Sequence, residues 1–269
     1  MINNYCVIGS PVFHSLSPLI YNTLYKRYNI INCRYTAVEV TPECLKSFLD
    51  NTDSENIKGF NITMPLKTYM LPYLTYIDFT VLNGCNTVKA TEHGFFGYST
   101  DALGFYKSLT LRGYDYKEKN VVFLGCGGVT RALIKDAVQK GADKVIVVNR
   151  TLSKLDDLPD TIIKDKLSNW HNYLPECDIL INTTPMGMKQ YTSLIDYNEL
   201  NNLKEEAVVC DLIYDPPKTP MLETAEKMHH YIINGLDMLI WQAFYAFEIF
   251  FGVMPDMDDY RTIKELILQ

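Results

Sequence analysis

The chain has 269 residues, 47% of them hydrophobic and 21% charged, with 14 glycines and 12 prolines scattered along it. At roughly 150 residues per domain this is one large or two modest domains with room for a sizeable core, which excludes a stapled mini-protein and a disordered chain. Twenty-five Lys and Arg against 32 Asp and Glu leave a formal charge of −7, so the protein offers no field that attracts nucleic acid.

Cys6, Cys33, Cys44, Cys85, Cys126, Cys177 and Cys210 are odd in number and widely spaced. Neither a disulfide framework nor a C-x-x-C metal site is read from them, and a reducing cytoplasm fits best. His229 and His230 are adjacent and the other histidines isolated, so no metal is expected. The start, MINNYCVIGS, lacks a basic segment followed by an apolar run, and the most apolar stretch, residues 239–254, is interrupted by Gln242 and Glu248. The expectation is a chain that neither enters nor crosses a membrane.

Taken in chain order, short apolar or β-branched runs alternate with segments of helical period. Strands are predicted near residues 5–9, 34–40 and 59–63, and helices near 18–28 and 42–49. This alternation indicates an α/β fold with a mostly parallel sheet. Residues 86–98 read instead as a hairpin turning at His93-Gly94, and residues 107–119, with Gly113, as a crossing to a second unit. That unit runs strand 121–125, glycine turn, helix to Lys140, strand 144–148, then strands near 178–182 and 208–214.

Several motifs sit on these elements. In HSLSP (14–18), Ser15 and Ser17 lie two residues apart just after the first strand, so both hydroxyls can face one carboxylate. Ser17 reads equally well as an N-cap with Pro18 behind it, and the roles are compatible because a helix N-terminus attracts anions. NITMPLK (61–67) places Thr63 and Lys67 at the carboxyl end of a strand, the edge where open α/β sheets bind ligands, although a lone lysine there is usually just solvated. Asn86 opens the hairpin. Asp101, before a helix beginning near Leu103, reads by itself as an N-cap.

In VVFLGCGGVTRALI, Gly125, Gly127 and Gly128 follow an apolar strand and precede a helix, the setting in which backbone N–H groups meet a pyrophosphate. The alternative is an ordinary tight turn. Thr130 replaces the third glycine of the G-x-G-x-x-G pattern, which relaxes the closest helix–strand packing. The next strand ends in Asn149-Arg150-Thr151 with Lys154 beyond, where an NAD-binding protein places an acidic residue. Arg150 can stack on adenine and, with Thr151 and Lys154, meet a 2′-phosphate, which favours NADP over NAD. A solvated basic helix start is the bland reading.

In this order, and with NT at 86–87, STD at 99–101, GCGGVTRA at 125–132, NRT at 149–151, NTTPMGM at 182–188, DLIYDPPKTPML at 211–222 and NGLDMLIWQA at 234–243, the motifs resemble the shikimate dehydrogenase family over nearly the whole chain. The resemblance implies an α/β substrate domain, residues 1–101 with 237–269, and a Rossmann-like NADP-binding domain, residues 102–236. C-terminal helices would return to the first domain, with the active site in the cleft between the two. It implies reversible NADP-dependent reduction of 3-dehydroshikimate to shikimate, in chorismate and aromatic amino-acid biosynthesis.

Carried over position by position, Lys67 and Asp101 are the implied catalytic pair. Ser15 and Ser17 hold the substrate carboxylate, and Thr63, Asn86, Tyr214 and Gln242 fix the ring and its hydroxyls. Gly125, Cys126, Gly127, Gly128, Val129, Asn149, Arg150, Thr151, Lys154, Leu212, Gly235 and Met238 line the dinucleotide. By residue type alone, Tyr214, Met238 and Gln242 read as core packing beside an apolar helix. Ser99 and Ala102 flank Asp101 where the family usually has Asn and Gly, and Asn83-Gly84-Cys85 replaces a Gly-Ala-hydrophobic run, which leaves the choice between shikimate and quinate open. The implied partner is a small molecule, and a homodimer is left open. The competing readings are a relative acting on quinate or an aminated analogue, a folate-linked dehydrogenase of related architecture, and a non-catalytic NADP sensor; intact Lys67 and Asp101 argue against the sensor.

Overall fold

The alternating runs at the N-terminus form a parallel core in which β1 (Asn3–Gly9) lies between β2 (Cys33–Glu39) and β3 (Ile57–Ile62). The computed structural model describes residues 2–269, and the chain falls into unit 1, Met1–Gly104 with Ile240–Gln269, and unit 2, Phe105–Leu239. Cys6, Val7 and Ile8 are all buried, as a central strand covered on both faces requires. The predicted hairpin is present as β5 (Thr87–Thr91) and β6 (Gly94–Tyr98), with β5 antiparallel to β3 and Asn61 opposite Thr87. A further strand, β4 (Leu74–Ile77), completes the six-stranded order β2-β1-β3-β5-β6-β4.

Antiparallel pairing of β5 against β3 brings the start of β5 to the carboxyl end of β3, and β6 returns its own carboxyl end beside it. One end of this sheet therefore gathers the segments after β1, β3 and β6. Helix α1 (Ser17–Arg27) packs on the sheet through Ile20, Tyr21, Leu24 and Tyr25, while α2 (Leu45–Asp50) adds Leu45 and Leu49 to the core around Phe60. The C-terminal part of α6 (Gly235–Phe251) lays Phe250 against Gly59, where a β-carbon would meet the ring at 2.7 Å. Helix α7 (Met257–Leu268) is tied to α1 by Arg27 and by Tyr28, whose hydroxyl donates to Asp259 at 2.6 Å.

Unit 2 holds β7 (Asn120–Leu124), β8 (Lys144–Asn149), β9 (Ile163–Lys166), β10 (Ile179–Asn182), β11 (Val208–Asp211) and β12 (Tyr231–Ile233) in the order β12-β11-β10-β7-β8-β9, all parallel. The chain winds outward from β7 to β9, then returns to β10 and winds the other way. This is the doubly wound Rossmann order, with its direction reversing between β7 and β10, the place where such sheets bind dinucleotides. Its core includes Val122, Leu124, Val148, Leu180 and Val209 with Trp170, and α5 (Pro220–Lys227) covers it through Met221, Leu222 and Ala225.

Several boundaries differ from expectation. Helix α2 starts at Leu45 rather than Pro42, behind a turn in which Cys44 N–H bonds Thr41 O. Helix α3 (Asp101–Thr110) starts before Leu103 and carries Lys107 inside it, so the predicted crossing is helical up to Thr110. Strand β11 stops at Asp211, short of Tyr214, because the Asp211 carboxylate accepts the Ile213 N–H and turns the chain. The unpredicted strands β4, β9 and β12 are three or four residues long and lie towards sheet edges, with Tyr76, Ile77, Ile163 and Tyr231 exposed, so they carry no periodicity to read.

Candidate active site

In unit 1, Lys67 follows the carboxyl end of β3 and Asp101 opens α3. The Lys67 ammonium donates to Asp101 Oδ2 at 2.6 Å, and the side chains are 18% and 9% exposed. The other carboxylate oxygen accepts from Asn86 Nδ2 at 3.0 Å. The same amide nitrogen faces Thr100 Oγ1 at 3.0 Å and Gln242 Oε1, on α6, at 3.3 Å. Thr100 N–H donates to Asn86 Oδ1 at 2.9 Å, and since a backbone N–H can only donate, it settles which way round this amide lies. Lys67, Asn86, Asp101 and Gln242, from four separate segments of the chain, thus form one connected group.

The N-cap reading of Asp101 is overturned. The first helical bond of α3 runs from Gly104 N–H to Thr100 O, so Thr100 stands at the cap and the Asp101 carboxylate turns to Lys67 and Asn86. The N-cap reading of Ser17 is overturned too. Leu16 holds the cap position and accepts from Ile20 N–H, Ser17 is the first helical residue, and Ser15 Oγ accepts the Ser17 N–H at 3.3 Å. Ser15 is half-buried and Ser17 buried, while Thr63 is half-buried and its N–H donates to Ile8 O, holding the end of β3 to β1.

Unit 2 holds the remaining predicted residues. Gly125 follows β7 with φ +96°, a left-handed conformation, and a β-carbon there would sit 2.6 Å from Thr184 Cγ2 in the segment after β10. Glycine is therefore required at the point where β7 and β10 diverge. Helix α4 (Gly128–Gln139) starts immediately behind, with Gly127 at its cap. A β-carbon on Gly127 would meet nothing nearer than Thr130 Oγ1 at 3.9 Å, so the space before the helix N-terminus is open. That open cradle and its free-facing N-terminus fit a pyrophosphate.

Relaxed packing at Thr130 is not what is found. Thr130 is buried, its hydroxyl accepts from Gly127 N–H at 3.0 Å and lies 2.7 Å from Thr183 Oγ1, and Thr183 in turn bonds Leu124 O at 2.8 Å. The threonine thus fastens the glycine turn to both diverging strands. Cys126 and Val129 flank the turn, and burial pushes the Cys126 thiol up, away from thiolate chemistry.

Asn149 ends β8 and donates to Thr151 O at 2.8 Å, closing a turn that leaves Arg150, Thr151 and Lys154 exposed. Arg131 of α4 braces this turn by donating to Lys154 O and to Asp157 Oδ2, each at 2.7 Å. The Asp157 carboxylate is thereby occupied, and the turn presents basic side chains that suit a 2′-phosphate. Gly235, at the start of α6, donates to Ile213 O at 3.0 Å, and a β-carbon there would collide with Leu212 O, so it is the residue that lets this helix start reach the Leu212–Ile213 turn. Met238 is buried and Tyr214 half-buried, with its phenol pushed up by burial and so a neutral donor.

Motif reading missed Asn61, Thr87 and Thr100 as members of the Asp101 group, although each lies in a quoted motif. It also missed Arg131, which lies in the quoted GCGGVTRA but reaches Lys154 and Asp157 only through the fold. Among the described residues, no helix is long and apolar enough to cross a membrane, and no group of three or more His, Cys, Asp or Glu could hold a metal ion.

Comparison with known proteins agrees with this geometry. A family model for the shikimate dehydrogenase substrate binding domain matches residues 7–88, one for shikimate / quinate 5-dehydrogenase matches residues 108–237, and one for the shikimate 5′-dehydrogenase C-terminal domain matches residues 235–265. The shikimate dehydrogenase (NADP(+)) of Methanococcus maripaludis is 37% identical over 93% of this chain and 92% of its own. The crystal structure of shikimate dehydrogenase from Aquifex aeolicus superposes with a TM-score of 0.88 at 34% identity over 97% of each chain. That of the Thermus thermophilus enzyme, solved in complex with NADP(H) and shikimate, gives a TM-score of 0.87 at 28% identity over 97% of this chain and 98% of its own. Carrying these matches over nearly its full length, together with the Rossmann strand order and the joined Lys67–Asp101 group, the chain belongs to the shikimate dehydrogenase family.

Proposed function

We propose that this protein is an NADP-dependent shikimate dehydrogenase, reversibly reducing 3-dehydroshikimate to shikimate in aromatic amino-acid biosynthesis. The observation that carries the reading is the Lys67–Asp101 ion pair, linked through Asn86 to Gln242 at the ligand-binding end of the unit 1 sheet. We assign substrate binding to unit 1, and dinucleotide binding to unit 2, along its glycine turn, its basic turn and the residues Leu212, Gly235 and Met238.

Bound NADPH supplies the hydride that reduces the C3 carbonyl. As negative charge develops on that oxygen, the Lys67 ammonium donates its proton, so the alcohol forms without a free alkoxide. Asp101 holds the ammonium in place and offers an acceptor to the neighbouring 4-hydroxyl, and Asn86 and Gln242 fix the remaining ring hydroxyls. Ser15 and Ser17 hold the carboxylate far along the ring, with Thr63 between the two ends. In the reverse direction, neutral Lys67 accepts the hydroxyl proton, as microscopic reversibility requires.

The compartment we assign is the cytoplasm, and the assembly allowed for is a homodimer, read directly by light scattering on the purified protein. The deciding experiment follows reduced-cofactor absorbance with shikimate or quinate and with NADP or NAD. Turnover of shikimate with NADP, well above quinate, is expected. A preference for quinate would move the chain to the relative's specificity, and binding of NADP without turnover of either acid would return the reading to a sensor.

A further inference from the structure

Behind the Asn86–Asp101 contact runs a longer line of buried polar groups. Tyr35 on β2 is 2% exposed, Asn61 on β3 5%, and Thr87 on β5 0%. The Tyr35 hydroxyl lies 2.7 Å from Asn61 Oδ1, Asn61 Nδ2 lies 3.0 Å from Thr87 Oγ1, and Thr87 Oγ1 lies 3.0 Å from Asn86 Oδ1. The contact between Asn61 and Thr87 follows from register, since the two residues are directly opposed where β3 pairs with β5.

Two backbone groups fix the direction of every bond in this line. Asn61 Nδ2 also reaches the Asn86 carbonyl oxygen at 3.2 Å, a group that can only accept, so Asn61 Oδ1 must face Tyr35 and the phenol must be the donor. At the other end, Thr100 N–H can only donate, so Asn86 Oδ1 faces it and Asn86 Nδ2 faces Asp101. Thr87 accepts from Asn61 through its oxygen and spends its hydrogen on Asn86 Oδ1. The sequence of donations is then Tyr35 to Asn61, Asn61 to Thr87, Thr87 to Asn86, and Asn86 to Asp101.

Tyr35 is itself held rigidly. Its ring stacks on Tyr21 with centroids 4.0 Å apart and planes 7° from parallel, and Asn22 brackets its backbone, accepting from its N–H at 3.2 Å and donating to its carbonyl at 2.9 Å. Burial keeps the phenol far above its ordinary range, so it remains a donor. The geometry points to Tyr35 and Thr87 as positioning residues for the reaction, which hold the Asn86 amide in the one orientation that donates to Asp101. This rests on the reading of Lys67 and Asp101 as the acid–base pair. Without Thr87 donating to its oxygen, the Asn86 amide loses a constraint against turning over, and a turned amide places an acceptor against the carboxylate and misaligns the group that holds Lys67.

The test uses isosteric variants of the full chain, Thr87→Val and Tyr35→Phe, which remove hydroxyls and little else, with Thr87→Ser as the conservative rescue. The expected result is a fall in kcat of about tenfold for Thr87→Val and a few-fold for Tyr35→Phe, with the KM for NADP unchanged and Thr87→Ser within about twofold of wild type. Wild-type kcat in both Thr87→Val and Tyr35→Phe, or a Thr87→Ser enzyme as slow as Thr87→Val, overturns the proposal. Should Thr87→Val fail to fold, Tyr35→Phe carries the test alone. A wild-type protein inactive on shikimate sinks the functional reading instead. The line of bonds is then read from hydrogen exchange of the Asn86 side-chain amide, expected faster in Thr87→Val than in wild type and Thr87→Ser; equal rates in all three overturn it.

Discussion

Lys67 Nζ and Asp101 Oδ2 approach to 2.6 Å although neither side chain is freely solvated, and each is the other's neutralising charge. Removing either one strands its partner in a half-buried site and dismantles the same device. Lys67→Ala is expected to lower kcat by about 10²–10⁴-fold with a modest change in substrate affinity, and Asp101→Ala to resemble it. The double variant should be little worse than either single one. Multiplicative losses in a double-mutant cycle would show independent roles.

Ser15 and Ser17 stand at the start of α1, and in the role proposed for them, holding the substrate carboxylate away from the reacting carbon, their contacts would serve ground and transition states alike. Such uniform binding appears in KM rather than kcat. Ser15→Ala should raise the KM for shikimate and leave that for NADP nearly unchanged. A selective rise in the NADP KM would place this serine at the wrong end of the reaction.

Arg150 is exposed at the end of β8, in a turn braced by Arg131. A charge-assisted contact to a 2′-phosphate is worth a few kcal/mol at most, so Arg150→Ala should cost about ten- to hundredfold in kcat/KM with NADP and much less with NAD. Equal use of both cofactors by the wild type would remove the basis for the assignment.

The pH dependence of stability has a local source in unit 2. Asp211 is 1% exposed, and burial pushes its carboxyl up to about 6 despite bonds from Asn182, Thr219 and Ile213. Between the unfolded value near 4 and this folded value, the native state binds the proton and the unfolded state does not, so stability falls as pH rises through that window. Asp211→Asn should be destabilised, because one of its amide edges presents a donor to groups that already donate. Its deficit should be largest below pH ~4 and narrow by about 2–3 kcal/mol by pH ~7, since the variant has no carboxyl to ionise. Denaturant midpoints measured across that range check it, and a deficit independent of pH would show that Asp211 is not the group responsible.

Local physics made much of this protein legible in its sequence. The apolar runs of β1, β3, β7 and β8 and the glycines after β7 announce themselves through hydrophobic period and backbone requirement, so both α/β units and the dinucleotide turn could be read directly. The types and spacing of Ser15, Lys67, Asn86, Asp101 and Gln242 marked them as a set only through family resemblance, because nothing local to Asp101 separates a helix cap from a lysine partner. That distinction was decided by the tertiary structure, in which Thr100 takes the cap and the carboxylate turns to Lys67 and Asn86. The same holds for the short edge strands, for Thr130 fastening the glycine turn, and for the line from Tyr35 to Asp101. A hydrogen bond between Asn61 and Thr87 has no signature in either segment, since it exists only because antiparallel pairing sets those two residues opposite each other.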